Sequence, residues 1–210
     1  MKDRVVFFID GFNVYHALAG ERRGKYQRYK WLDYRALAQC FISPKKEELK
    51  EVLYFTAYAH WNQQKMARHK QYVKALRFQE VQIVLGKFKK VTRNCLGTCK
   101  EQFQTFEEKE TDVNIAIHLL KLAFLDTYDT AVILSGDSDL IPAIEAVKSV
   151  FPHKTIRVVI PIARSAESMK KVCDGHHKMK EKHLRSSQLP DPLVIDAAKR
   201  IFLRKPREWT

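Results

Sequence analysis

Five short apolar runs, set apart by helix-forming stretches, constrain this chain more than any other feature. They are "RVVFFID" (residues 4–10), "EVLYFTAY" (51–58), "VQIVLGKFKKV" (81–91), "TAVILSG" (130–136) and "TIRVVIPI" (155–162). Each is rich in β-branched and aromatic residues and too short for a buried helix, so each reads as a strand. The first shows no polar alternation, the pattern of a strand covered on both faces. Among them lie "NVYHALAG", "DYRALAQCFI", "QKMARHKQYVKALRFQ", "TDVNIAIHLLKLAFL" and "DLIPAIEAVKSV", which carry helical spacing. The fourth of these sets Ile115, Ala116, Leu119, Leu122 and Ala123 on one side; Thr111 is its expected N-cap and Asp112 a first-turn acid. Residues 94–106, which include "CLGTC", break the pattern and read as a loop or small insertion. Strands alternating with helices give an α/β domain with a mostly parallel sheet.

The length of 210 residues suits one domain with an insertion or a tail. The expected organisation is a domain over residues 1–165, with a basic, cysteine-containing insertion near 87–106. A basic extension over 166–210, bearing His176, His177 and His183, packs partly on that domain. The apolar run at the N-terminus is too short for a signal peptide, and no stretch approaches the roughly 20 apolar residues of a membrane span. The expectation is a soluble cytoplasmic protein with reduced thiols and no membrane partner. A homo-oligomer is compatible with the sequence.

In parallel sheets, ligands bind in the crevice outside the C-terminal strand ends. Asp10 ends the first strand, and Asp137 and Asp139 follow the fourth in "AVILSGDSDL". If those strands are neighbours, three carboxylates meet at one crevice. Two carboxylates about 4 Å apart repel by about 4 kcal/mol at an effective dielectric of about 20. A hard dication such as Mg²⁺ or Mn²⁺ removes that penalty, because it takes oxygen ligands from carboxylates, waters and a substrate phosphate. Such an ion activates water and offsets charge on a phosphodiester. Taken singly, each acid has a plainer reading: Asp137 and Asp139 as turn or cap residues, Asp10 as a turn residue, Asp112 as an acid favoured by the helix dipole. Pro142 and the apolar "LIPAI" exclude a calcium loop after Asp139.

The net charge of +14 points to a polyanionic partner. Three stretches supply it. Arg22, Arg23, Lys25, Arg28 and Lys30 lie in the first. Lys65 and Arg68 lie in the second, where residues 62–77 hold five Lys or Arg and no acid. Lys87, Lys89 and Lys90 begin the third, and Lys109 stands three residues before Asp112. Tyr26, Tyr29, Trp31 and Tyr34 interleave with the first stretch; they either stack on bases of a single strand or belong to the core. His60 and Trp61 follow the second strand at an expected crevice edge. Cys95 and Cys99 form C-x₃-C. Two ligands fall short of the four of a structural zinc site, which His69, Cys173 or the histidines after Gly175 would have to complete; a free or redox-responsive thiol pair is the alternative.

"VFFIDGFNVYHAL", "EEKETDVNIAIHLL" and "DTAVILSGDSDLIPAIEAVK", in that order, resemble the NYN domain family of the PIN-like nuclease group, including bacterial proteins of the LabA or DUF88 type. The resemblance spans about residues 4 to 162, and "SQLP" looks like the close of such domains. It implies a PIN-like three-layer α/β/α sandwich and a Mg²⁺- or Mn²⁺-dependent ribonuclease. By position, Asp10, Asp112, Asp137 and Asp139 match the acidic cluster, Asn13 the polar residue after the first acid, and Ser135 the hydroxyl before D-x-D. Asp10 and Asp137 are expected to hold metal most directly. Asp112 and Asp139 would act through water, and Asn13 and Ser135 on phosphate or a metal-bound water. Glu110 stands where many members carry a small residue, which leaves its part in the cluster open. The function implied is metal-dependent hydrolysis of single-stranded or structured RNA. The alternatives are an inactive RNA-binding or regulatory module of the same fold and, more weakly supported, a phosphatase or nucleotidase for small substrates.

Overall fold

A computed structural model describes residues 1–20, 24–94 and 102–209. Its strands are β1 (Asp3–Asp10), β2 (Glu47–Thr56), β3 (Gln82–Leu85), β4 (Lys87–Asn94), β5 (Gln102–Lys109), β6 (Thr130–Leu134), β7 (Thr155–Ile160), β8 (Gly175–Lys178), β9 (Leu193–Asp196) and β10 (Ile201–Leu203). The helices are α1 (Gly11–Ala19), α2 (Tyr34–Gln39), α3 (Gln63–Phe78), α4 (Thr111–Phe124), α5 (Ile141–Val150), α6 (Glu167–Val172) and α7 (Glu181–Ser186). Six strands form one sheet in the order β3-β2-β1-β6-β7-β8, with every pair parallel.

The unbroken apolar run of β1 has its reason in two cores. Val5, Phe7 and Ile9 face one side, with Val14 and Leu18 of α1, Leu37 of α2, Leu76 of α3 and Leu184 of α7. Val6 and Phe8 face the other, with Ile115 and Leu119 of α4, Ile144 and Val147 of α5 and Met169 of α6. Period-two alternation thus sends successive side chains into different layers, and helices close both faces. The result is a three-layer α/β/α sandwich.

Three readings need correction, and a fourth, left open between two alternatives, is decided. The third run is two strands, broken at Gly86, where a Cβ would lie 2.8 Å from the Lys109 carbonyl. Of the stretch expected as a loop or small insertion, residues 95–101 lie outside the described residues. Residues 94 and 102–106 belong to an antiparallel hairpin: β4 pairs with β5, Lys87 opposite Lys109 and Asn94 opposite Gln102. Polar residues on both strands hid it, since it stands outside the cores. Thr111 is not the N-cap of α4. Glu110, in the left-handed region at φ 77°, holds that position, and the Glu108 carboxylate accepts from the Thr111 N–H at 3.0 Å and from its hydroxyl. Tyr26, Tyr29, Trp31 and Tyr34 are all buried and belong to the first core. The C-terminal segment explains their burial. Trp31 Nε1 donates to the Pro190 carbonyl at 3.1 Å, the Tyr29 hydroxyl donates to Glu181 at 2.9 Å, and the Leu189 N–H donates to the Trp31 carbonyl at 2.9 Å.

The central sheet runs past residue 165, because β8, with His176 and His177, forms its outer strand beside β7. His183 lies on α7, against Phe41. Among the described residues, no helix is long and apolar enough to cross a membrane.

Candidate active site

In the strand order, the chain leaves β1 toward β2 on one side and reaches β6 on the other. This reversal opens a crevice at the C-terminal ends of β1 and β6. The crevice holds a cavity of about 420 Å³. Asp10, Glu108, Asp112 and Asp137 line it, with Asn13, His16 and Arg164.

Asp10 is 3% exposed and caps α1. One carboxylate oxygen accepts from the Asn13 N–H at 2.9 Å, the other from the Ser135 hydroxyl at 2.8 Å. Ser135 Oγ in turn accepts from the Asp137 N–H at 3.1 Å, and Asn13 Oδ1 from the Gly136 N–H at 3.1 Å. Asp137 Oδ1 accepts from the Asp139 N–H at 3.0 Å. These bonds lock the end of β1 to the end of β6, so the two acids keep a fixed relation. Gly11 makes the approach of β2 tolerable: a Cβ there would lie 2.6 Å from the Phe55 carbonyl and 2.7 Å from the Tyr54 ring.

Burial and mutual repulsion weigh on the cluster's charges. Burial pushes the Asp10 carboxyl up to about 6, against the pull of the Asn13 N–H and the Ser135 hydroxyl; Asp137 and Glu108 add to the rise. Burial, then the charges of Asp10, Asp137 and Asp139, push Asp112 up to about 6. Burial also raises Glu108. Among the described residues, no three acid, histidine or cysteine side chains already stand at metal-ligating distance. The donor set is nonetheless all oxygen, anionic and short of positive charge. That fits a Mg²⁺- or Mn²⁺-sized ion held by one or two carboxylates, with water and substrate completing its shell.

The expected site residues separate into groups. Asp10, Asn13, Asp112 and Asp137 meet in the cavity. Ser135 is fully buried and outside the lining, and its hydroxyl donates to Asp10. Asp139 is exposed and outside the lining, close enough to raise Asp112. Glu110 turns away to pair with Lys87. Glu108 is the acid that sequence reasoning missed. Its signal was the spacing to Thr111, which means nothing until β5 is recognised as a strand leading into α4.

A second cavity, of about 320 Å³, adjoins the first and shares Phe12 and His16 with it. Trp61, Phe88 and Phe106 form an aromatic wall, and Lys30, Lys65 and Arg68 supply three cations. Among the described residues, no Asp or Glu lines it. Burial lowers the half-buried His69 at its floor to about 4, and the ring bonds Thr56 Oγ1 at 3.2 Å.

The other candidate cations divide. Lys25 and Arg28 pair with Glu181 at 3.4 and 3.0 Å. Arg68 pairs with Glu208 at 2.8 Å, and Lys109 with Glu107 at 3.2 Å. Lys89 and Lys90 are exposed on β4. Arg22, Arg23, Cys95 and Cys99 lie outside the described residues. Cys40 and Cys173 are free thiols.

A switch-point crevice that gathers acids in a parallel α/β/α sandwich defines a PIN-like arrangement. Residues 4–180 match the NYN domain, and the chain belongs to that family. A relative in Pseudomonas putida, 6-hydroxy-3-succinoylpyridine 3-monooxygenase HspA, is 25% identical over 98% of this chain and 75% of its own length. A crystal structure of a protein of unknown function from Vibrio parahaemolyticus superposes with a TM-score of 0.60, covering 90% of this chain and 97% of that one at 16% identity. That likeness speaks to the fold alone.

Proposed function

We propose that this NYN protein hydrolyses RNA phosphodiester bonds with the help of Mg²⁺ or Mn²⁺. The observation that carries the reading is the convergence of Asp10, Asp112 and Asp137 on one cavity with two of the three carboxyls pushed up to about 6. Asp10 and Asp137 would hold the ion most directly, with Asp112 and Glu108 beside it. Once bound, the dication supplies an activated water and offsets charge on the phosphate. The chain's own groups do the rest. Ser135 and Asn13 fix the Asp10 oxygens and the strand ends, which keeps the donor set preorganised. Arg164 lines the same cavity, where a guanidinium suits a phosphate oxygen. His16 lines it too; desolvation, then the Arg164 charge, holds its imidazole below the ordinary range, which favours the neutral ring that can take a proton.

Purified protein should cut labelled single-stranded RNA in Mn²⁺ and stop on addition of chelator. Asp137→Asn should lose more than the roughly 10- to 100-fold typical of a supporting residue, while RNA binding persists. Metal-dependent cleavage retained in Asp137→Asn contradicts the assignment. Among the described residues no three groups already stand at ligand distance, which favours the competing RNA-binding module; no product with any divalent ion, together with intact RNA binding, would establish it.

A second reading starts from the relative named as acting on a hydroxylated succinoylpyridine. The aromatic, cationic second cavity also suits a pyridine bearing a carboxylate. Conversion of that pyridine in the presence of O₂ and a two-electron donor, lost in Trp61→Ala, would support it.

A further inference from the structure

We propose that the second cavity is a base-binding subsite, which seats a nucleobase of the RNA strand whose scissile phosphate lies at the acids. The proposal rests on the ribonuclease reading and adds where, and by what, the strand is gripped.

Three observations carry it. The first is a held, exposed ring. Trp61 is 40% exposed, yet it is clamped: Phe106 stacks on it at 3.9 Å and 4°, and Phe88 packs perpendicular to it at 4.5 Å and 82°. His60 packs against both Trp61 and Phe106. Phe88 and Phe106 come from β4 and β5, so the hairpin that stands outside the cores has a use: it fixes the indole. An aromatic ring fixed in advance and still partly open to solvent can stack a base with little loss of entropy on binding.

The second observation is the division of charge. Four acids line the first cavity; three cations and, among the described residues, no acid line the second. A ligand that suits both needs a metal-borne phosphate at one end and a flat ring with further anionic groups at the other. A nucleic-acid strand has this composition, with a negative charge at each step. Lys30 is held over the Tyr15 ring at 4.7 Å, and burial followed by the Arg68 charge lowers its ammonium. Those two cations are close enough to repel; Arg68 is paired with Glu208 at 2.8 Å, and a strand phosphate would add a partner for Lys30.

The third is adjacency. Phe12 and His16 form a wall of both cavities, so one chain of nucleotides passes from acids to rings without leaving the surface. The Thr56–His69 pair at the floor offers hydrogen-bonding groups to a base edge.

Binding should be measured in chelator, so that it does not depend on cleavage. The probes are a single-stranded RNA oligonucleotide and a set of the same oligonucleotide with one abasic ribose moved along its length. Trp61→Ala should weaken binding of intact RNA about tenfold or more, and Trp61→Phe should restore most of it, with circular dichroism and melting confirming that both variants fold. One abasic position should weaken binding to wild type by a similar factor and have no further effect in Trp61→Ala, because the two changes remove the same contact. A flat abasic scan, or losses from the two changes that multiply independently, overturns the subsite. Trp61-dependent binding without cleavage in Mn²⁺ sinks the nuclease reading and leaves the subsite standing. Cleavage with Trp61-independent binding does the reverse.

Discussion

Asp10 is both the cap of α1 and a buried carboxylate, and its two roles make opposing demands. The cap needs a charge that accepts from Asn13 and Ser135; the apolar surroundings penalise that charge. Its folded value of about 6 lies above the ordinary 3.8, so between those values the folded state binds more protons than the unfolded one. The stabilisation that this proton brings is complete below pH 4 and is lost as pH rises through 6. In chelator, Asp10→Asn does not titrate. Its stability relative to wild type should therefore rise from pH 4 to 6 and then level off, by up to about 3 kcal/mol. Denaturant melts across that range check it, and a difference that stays constant with pH contradicts the assignment. Added Mn²⁺ should raise the wild-type melting temperature above pH 6 and leave Asp10→Asn nearly unmoved.

At the scale of elements, β1 and β6 were legible because both faces of each are buried, which leaves an apolar run ended by acids or glycine. The hairpin β4–β5 was not legible. It packs on neither core, and cross-strand charges such as Arg93–Glu107 make its strands look like loop. Glu108 was lost with it. The tyrosines and Trp31 of residues 26–34 were ambiguous for another reason: their basic neighbours face solvent, and the segment that covers the rings arrives about 150 residues later. Gly11 ties element geometry to the site, since α1 starts against the end of β2. Gly11→Ala should destabilise the fold by about 1–3 kcal/mol through overpacking. Because it displaces the cap at Asp10, it should reduce cleavage even where the protein stays folded. A melt and a cleavage assay on the same sample read both, and a variant unchanged in each contradicts the close packing.

Over the whole molecule, an acidic cavity sits in a chain of net charge +14. On the proposed reading, the positive field would draw a polyanion toward a site that would otherwise repel it, and a dication would reconcile the two. If Lys30, Lys65, Arg68 and Arg164 each neutralise one phosphate, the logarithm of RNA affinity should fall against the logarithm of salt with a slope of about −3. Lys65→Gln should reduce that slope by about 0.7, which titrations at several salt concentrations resolve. The most direct measurement of all is anomalous scattering from crystals soaked in Mn²⁺. The account predicts a peak within ligand distance of Asp10 and Asp137 that disappears in Asp137→Asn; a cavity without a peak, in crystals of protein that cleaves RNA in Mn²⁺, would contradict it.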